Sequence, residues 1–181
     1  MGRNLFICLF IVSVISINAT IITEWNFESE SLNPSTGSGT VSRIGGVAHD
    51  TFNDGYDDSE YAWSTTSYPA QSTNNLSGGI KIEVSTIGYT DIYFSWVTRH
   101  SNTSANREVL FYTLDKTAVP PVWIQAGVYN AASGDDWFAR SFDGRSIPGL
   151  NNNANLAFKI VSAFSNAANT AAFSNLTFLP N

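Results

Sequence analysis

The amino-acid sequence predicts an all-β protein, specifically a two-sheet antiparallel β-sandwich of jelly-roll type. Three observations predict it: apolar residues recur at every second position in several segments, turn-forming residues separate these segments, and no helical period extends beyond two turns. Because successive side chains of a strand point to opposite faces, this alternation gives each segment one face for a core. About eight such segments are typical of two packed sheets.

The clearest alternation lies in residues 79–114. Its apolar positions are Ile80, Ile82 and Val84, then Ile92, Phe94 and Trp96, and finally Val109 and Phe111 with Leu110, Tyr112 and Leu114. We expect three consecutive antiparallel strands here, joined near residues 88–90 and by the polar loop 100–106.

Weaker patterns predict the remaining elements. Residues 21–28 alternate and should form a first strand whose Trp25 and Phe27 reach the core. Residues 29–46 are rich in Ser, Gly and Thr, which predicts a loop with a short edge strand. Residues 48–62 are expected to form an acidic loop with a turn at Asp54-Gly55, and further strands are expected over residues 122–128, 156–164 and 171–179.

The chain begins with the features of a secretory signal peptide. Arg3 precedes an apolar run over residues 5–17 that is too short for a stable membrane span, and the small residue Ala19 follows. We therefore expect a signal peptide over residues 1–19, a single domain over residues 20–181, and an extracellular location with no remaining membrane span. Cys8, the only cysteine, would leave with the signal, so the core alone must hold the domain together.

The charge of the chain excludes one class of partner. Losing Arg3 takes the net charge from −6 to −7, and no basic stripe is present. A direct grip on the phosphate backbone of nucleic acid is therefore not expected.

Six sequence strings resemble, in the same order, a β-sandwich module found at the front of many secreted bacterial proteins, including proteins with PEP-CTERM sorting tails and some extracellular nucleases. The strings are Trp25-Asn26-Phe27, Pro34-Ser35-Thr36-Gly37-Ser38-Gly39-Thr40, Tyr68-Pro69-Ala70-Gln71, Val84-Ser85-Thr86-Ile87-Gly88-Tyr89, Arg99-His100-Ser101-Asn102-Thr103-Ser104, and residues 147–160 from Ile147-Pro148-Gly149 to Lys159-Ile160. The resemblance implies a carbohydrate-binding-like or adhesive sandwich with no agreed catalytic residues. The module's last strand usually carries a Trp-Arg-hydrophobic-Asp run, which is absent here, and neither a sorting tail nor a catalytic domain follows, so envelope attachment and nuclease activity do not carry over.

Several aromatic residues are candidates for a sugar-stacking face. A sugar ring offers an apolar face of C–H groups that an exposed aromatic ring can cover, while neighbouring Asn or Asp side chains bind the hydroxyls. The candidates are Trp63, Tyr68, Trp123, Tyr129 and Trp137. Core packing is the alternative for each of them, and it is the expected role of Trp25 and Trp96.

Other patterns suggest a metal site and modification sites. Asp54, Asp57, Asp58 and Glu60 could supply oxygen ligands to calcium near a glycine turn, although their spacing does not match an EF-hand, and a solvated acidic loop is the alternative we favour. Sequons occur at Asn75, Asn102 and Asn175.

The favoured function is a secreted, non-catalytic carbohydrate-binding or adhesive module whose partner is an extracellular glycan or polysaccharide. A self-assembling structural protein of a matrix, coat or fibre is the alternative. A polysaccharide-degrading enzyme comes third. Residues 124–130 look like the tyrosine-bearing strand of jelly-roll alginate lyases, but the Arg-x-Glu-x-Arg strand of those enzymes is missing, so no catalytic residue is assigned.

Overall fold

The computed structural model describes residues 19–56, 61–70, 73–131 and 135–164, together with the backbone of residues 176–179. Its strands are β1 (Thr23–Glu24), β2 (Thr36–Gly37), β3 (Gly39–Ile44), β4 (Ala48–Asn53), β5 (Ala62–Thr66), β6 (Gly79–Val84), β7 (Tyr93–His100), β8 (Arg107–Thr113), β9 (Ile124–Asn130), β10 (Asp136–Asp143), β11 (Leu156–Ala163) and β12 (Leu176–Leu179). A short 3₁₀ helix covers Pro148–Leu150.

Two five-stranded antiparallel sheets form the molecule, which confirms the predicted all-β sandwich. The first sheet has the strand order β3-β6-β11-β8-β9, and the second has the order β10-β7-β12-β5-β4. Strands β1 and β2 form a separate two-stranded ribbon. The described residues include no helix with the length and apolarity needed to span a bilayer.

The three strands predicted over residues 79–114 are present as β6, β7 and β8, but they do not pair with one another. Strands β6 and β8 flank β11 in the first sheet, whereas β7 lies in the second sheet between β10 and β12. The chain therefore crosses between the sheets twice in this stretch. Each crossing lets the apolar faces of successive strands meet across the interior instead of side by side.

Aromatic and branched side chains from both sheets fill the interior. Trp96, Leu110, Leu156 and Ile160 are all less than 2% exposed. The ring of Phe94 in the second sheet stacks on Phe158 of the first, with 4.9 Å between ring centroids. These contacts bury the apolar faces that the alternation in the sequence defines.

The start of the chain departs from the prediction. Instead of one strand over residues 21–28, only Thr23–Glu24 are in a strand, because the backbone turns at Phe27, whose φ is 60°. The expected burial is confirmed, since Trp25 is 5% and Phe27 3% exposed. The indole Nε1 of Trp25 also donates to the carbonyl of Leu32 at 3.1 Å.

Three strands were missed or placed only in part. Strand β4 occupies the start of the predicted acidic loop, β5 begins at its last residue, and β10 covers eight residues for which no strand was predicted. Residues 1–18 of the expected signal peptide lie outside the described residues, as do residues 171–175 of the predicted last strand.

Candidate functional site

The outer face of the second sheet carries the candidate site. On β7, the side chains of Trp96 and Thr98 point inward, because both donate hydrogen bonds to Glu108 of the first sheet. Alternation along the strand therefore turns Arg99 outward. Trp137 on β10 is the direct cross-strand partner of Arg99, so both side chains lie on the same outer face.

These two side chains line a groove on this outer face. Its other lining residues are Asn53, Asp54 and Gly55, which end β4 and begin the following turn, and its volume is about 460 Å³. That volume lies within the range of small-ligand pockets. The groove thus places an indole beside an amide, a carboxylate and a guanidinium.

Neighbouring side chains hold the two walls of the groove. The ring of Tyr56 packs against Trp137, with 5.9 Å between ring centroids, and Tyr56 remains 39% exposed. The guanidinium Nη2 of Arg99 donates to Asp135 Oδ2 at 2.8 Å. This ion pair uses one of the five N–H donors of arginine, so other donors of the guanidinium can face a ligand.

Such a groove suits a polyhydroxylated ligand. The aromatic wall can cover an apolar C–H face, and the amide, carboxylate and guanidinium can exchange hydrogen bonds with hydroxyl groups. Each of these polar groups is on the surface or partly buried, which keeps the cost of exchanging water for ligand low.

A buried carboxylate fixes β7 beneath the groove. Glu108 on β8 is 0% exposed. Its carboxylate accepts hydrogen bonds from Trp96 Nε1 at 3.3 Å, Thr98 Oγ1 at 3.0 Å and Arg140 Nε at 2.9 Å. His100 Nε2 lies 4.0 Å from the same carboxylate. One first-sheet residue therefore ties together the two second-sheet strands, β7 and β10, that carry Arg99 and Trp137.

The cluster keeps this carboxylate charged. Burial by itself would raise the pKa of Glu108, but the interactions with His100 and Arg140 outweigh it and hold the pKa below its ordinary value. Glu108 is therefore an anion inside the sandwich at neutral pH. The buried negative charge depends on the guanidinium of Arg140 for its compensation.

Two of the predicted sugar-stacking residues lie in the core, so the expectation that they are exposed is wrong. Trp63 is 0% exposed; it packs on Phe27 and donates from Nε1 to His49 Nδ1 at 2.9 Å. Tyr68 is 6% exposed, and its hydroxyl lies 2.8 Å from Thr65 Oγ1. Both rings are needed to fill the interior behind β4 and β5 and cannot stack on a sugar.

The other predicted aromatic residues do not share one face. Trp123 lies against the first sheet, with Lys159 Nζ 4.7 Å from its ring centroid. Tyr129 closes the gap between β9 and β10: its ring meets Trp96 edge to face, and its hydroxyl donates to the carbonyl of Ser141 at 2.8 Å. Of the five candidates, Trp137 alone lines the groove.

The predicted metal and modification sites are only partly described. Asp54 lines the groove, while Asp57, Asp58 and Glu60 lie outside the described residues. Within the described part of the chain, no cluster of three or more His, Cys, Asp or Glu side chains could hold a metal ion. Asn75 and Asn102 are exposed, and Asn175 lies outside the described residues.

Comparison with solved structures shows the same fold in two bacterial proteins. One is endo-1,4-β-D-xylanase 10B of Clostridium thermocellum, with CBM22-1 and GH10 modules and bound xylohexaose: the TM-score is 0.53 and the identity 9% over 91% of this chain and 28% of that one. This chain thus spans less than a third of the xylanase's length. The other is the K1 cleaved adhesin domain of Lys-gingipain from Porphyromonas gingivalis, with a TM-score of 0.51 and 10% identity over 85% of this chain and 92% of that one.

No protein-family model and no curated protein sequence matches the chain. The two structural likenesses agree with the β-sandwich predicted from the sequence. The specific resemblance to modules of proteins with PEP-CTERM tails or of nucleases stays an expectation.

Sequence reasoning missed most of the groove. It did not single out Arg99, Asn53 or Tyr56 as site residues. Glu108 shares its strand parity with Leu110 and Tyr112, but Val109 and Phe111 on the other face are equally apolar, so alternation alone did not show that Glu108 points inward. A buried carboxylate requires a partner, which points to the arginines of neighbouring strands.

Proposed function

We propose that this protein is a secreted, non-catalytic carbohydrate-binding module that holds an extracellular polysaccharide in the groove beside Trp137. One observation carries the proposal: Trp137 and Arg99 are cross-strand neighbours on an outer sheet face, with Asn53 and Asp54 across the groove. These four residues combine an aromatic stacking surface with hydrogen-bond donors and hydrogen-bond acceptors.

The fold supports a binding role of this kind. The xylanase that shares the fold contains a CBM22-1 module and was solved with xylohexaose, and the other protein is an adhesin domain. Two of the polar side chains of the groove, Asn53 and Arg99, are held by strands, which favours recognition without a large ordering cost.

Burial excludes the histidine of the interior cluster, His100, from acid–base chemistry in the groove. His100 is 1% exposed and lies beneath the sheet that forms the groove. Proton transfer to a polymer would need that group within hydrogen-bond reach of the substrate.

Glycan-array binding of the purified protein tests the proposal, run with calcium and again with a chelator. We expect binding to a defined set of polysaccharides and a loss of at least tenfold in affinity for Trp137→Ala. Tyr89→Ala is the matched control: Tyr89 is 37% exposed, and it precedes the start of β7 whereas Arg99 lies near its end. Loss of binding on chelation would show that a cation takes part in binding, with Asp54 as a candidate ligand. A blank array from folded protein would contradict the proposal.

Self-association is a second candidate, and one observation favours it. Strand β9 is an edge of the first sheet, and its Ile124 and Val128 are 42% and 45% exposed. An open edge with apolar side chains can pair with a second copy. A sizing column distinguishes this candidate, because an assembling protein elutes earlier as its concentration rises, whereas a monomeric module does not.

A further inference from the structure

All three lysines of the chain, Lys81, Lys116 and Lys159, gather on the outer face of the first sheet, opposite the groove. Lys81 on β6 and Lys159 on β11 are direct cross-strand partners. Lys116, in the turn after β8, joins them through Glu83, which lies 3.5 Å from Lys116 Nζ and 2.6 Å from Lys81 Nζ. We call these three lysines and the side chains between them the lysine face.

Lys159 lacks the carboxylate partner that the other two lysines have. Its Nζ lies 4.8 Å from the ring centroid of Phe111 and 4.7 Å from that of Trp123. Among the described residues, no ion pair includes Lys159. Partial burial lowers the pKa of this amine. An ammonium held between two rings is desolvated yet not neutralised, and an arriving anion would relieve that cost.

The charge balance of the lysine face differs from that of the whole protein. Three ammonium groups face one carboxylate, Glu83, and the nearby Asp115 carboxylate already accepts hydrogen bonds from Thr117. The chain as a whole carries a net charge of −6. A negatively charged partner would thus be repelled by most of the surface and attracted here.

The shape of the lysine face suits an extended chain. A single cross-strand row runs over all five strands of the first sheet, and its members are Ser42, Lys81, Lys159, Phe111 and Gln125. At the usual spacing between strands this row is roughly 19 Å long. It offers a hydroxyl, two ammonium groups, a ring and an amide in sequence, with Trp123 beside it.

We infer that the lysine face is a second glycan-binding surface, specific for acidic polysaccharide whose carboxylate or sulfate groups pair with Lys81 and Lys159. Phe111 and Trp123 supply the apolar area that a sugar backbone covers and a bare phosphate backbone does not use. This inference does not depend on the groove at Trp137, because the two surfaces lie on opposite sheets.

The test is a binding titration of the purified protein with heparin, polygalacturonate and neutral xylan, at low and at moderate salt. We expect the two acidic polymers to bind with an affinity that falls as salt rises. The double variant Lys81→Gln/Lys159→Gln should bind them at least tenfold more weakly. The control Arg43→Gln/Arg145→Gln removes the same charge from exposed positions off this face and should stay within threefold of the unmodified protein.

A second measurement keeps the inference testable if the double variant does not fold. Because the chain has no other lysines, acetylation of amines in the native protein modifies only this face and the amino terminus. Acetylated, folded protein should lose binding to acidic polymers by a similar factor.

Unchanged binding after either treatment would overturn the inference, as would folded protein that binds neither acidic polymer at low salt. Binding to phosphatidylserine vesicles without binding to polysaccharide would assign the face to a membrane and also overturn it. Trp137→Ala separates the two proposals: it should weaken neutral-glycan binding in the groove and leave heparin binding unchanged.

Discussion

At the scale of single residues, two tryptophans that look alike in the sequence have opposite roles. Trp63 and Trp137 both stand near acidic residues and turns, yet Trp63 is fully buried, whereas Trp137 lies in the groove on the outer face. We expect Trp63→Ala to lower the free energy of unfolding by about 3–5 kcal/mol because it leaves a large cavity. Trp137→Ala should cost less than half of that. Chemical denaturation measures both, and equal losses would contradict the assignment.

The buried carboxylate gives a second prediction. Arg140 donates to Glu108 and is itself largely buried. Arg140→Ala would leave the carboxylate of Glu108 without its main cationic partner, so we expect a loss of about 3–5 kcal/mol in the free energy of unfolding. Arg145→Ala, at an exposed ion pair, should leave the free energy of unfolding nearly unchanged. If both variants unfold at the same denaturant concentration, the proposed role of the cluster is wrong.

A buried hydroxyl pair gives a smaller effect. Burial raises the pKa of Tyr68 far above its ordinary value, so the phenol stays neutral and shares a hydrogen bond with Thr65. Tyr68→Phe should therefore cost about 1 kcal/mol. A stabilised variant in thermal unfolding would show that this bond contributes nothing.

The sequence shows which residues could bind a sugar, but it does not show which of them lie next to one another in the folded protein. The inward orientation of Glu108 follows only from the packing of β8, because both faces of that strand are apolar in sequence, and the pairing of Arg99 with Trp137 likewise depends on which strands lie side by side. These two residues are far apart in the chain and belong to strands that no local pattern connects. The groove could therefore not be assembled from the sequence alone.

At the scale of elements, strands were predicted correctly from the sequence where one face of the strand is more exposed than the other. Strands β6 and β7 show clear alternation and were placed correctly. Strand β5 was missed because Ala62, Trp63, Ser64 and Thr65 are all buried, so its sequence lacks alternation. When both faces of a strand are buried, apolar and polar residues do not alternate in its sequence. Its polar residues are then buried between neighbouring elements and not exposed to solvent.

Strand β12 gives the element-scale prediction. It lies in the middle of the second sheet and pairs with both β5 and β7. Truncation after residue 175 would leave unpaired backbone groups on two facing strands inside the sheet, so we expect loss of the folded state. Circular dichroism and limited proteolysis measure this. A truncated protein as resistant to protease as the full chain would show that β12 is dispensable.

At the scale of the whole molecule, the sequence predicted the architecture but not the connections. Alternation and turn signals define strands and their apolar faces, and these suffice for a sandwich. They do not say that β6 and β7 cross to different sheets, since a hairpin and a crossing have the same local pattern. The order of strands is set by how the apolar faces of the two sheets pack against each other, as in the contact between Phe94 of β7 and Phe158 of β11.

The buried charge makes the stability of the whole sandwich depend on pH. The pKa of Glu108 in the folded protein lies below its ordinary value of 4.5. Its contribution is therefore fully present above about pH 4.5 and is lost as the pH falls through the lower, folded-state value. Unfolding midpoints measured from pH 7 to pH 3 should fall steeply at the acidic end, and Glu108→Gln should flatten that fall. A variant with the same steep fall would assign it to other carboxyl groups.

The proposed glycan site at Trp137 is tested most directly by an NMR titration with an oligosaccharide taken from whichever neutral polysaccharide the protein binds on an array. The indole N–H of each tryptophan gives its own signal, so the site can be located. We expect shifts for the indole of Trp137 and the backbone amides of Arg99 and Asn53, with the amides of Tyr89 and Lys159 unmoved. Shifts confined to residues off the groove, or none at saturating ligand, would contradict the proposed site.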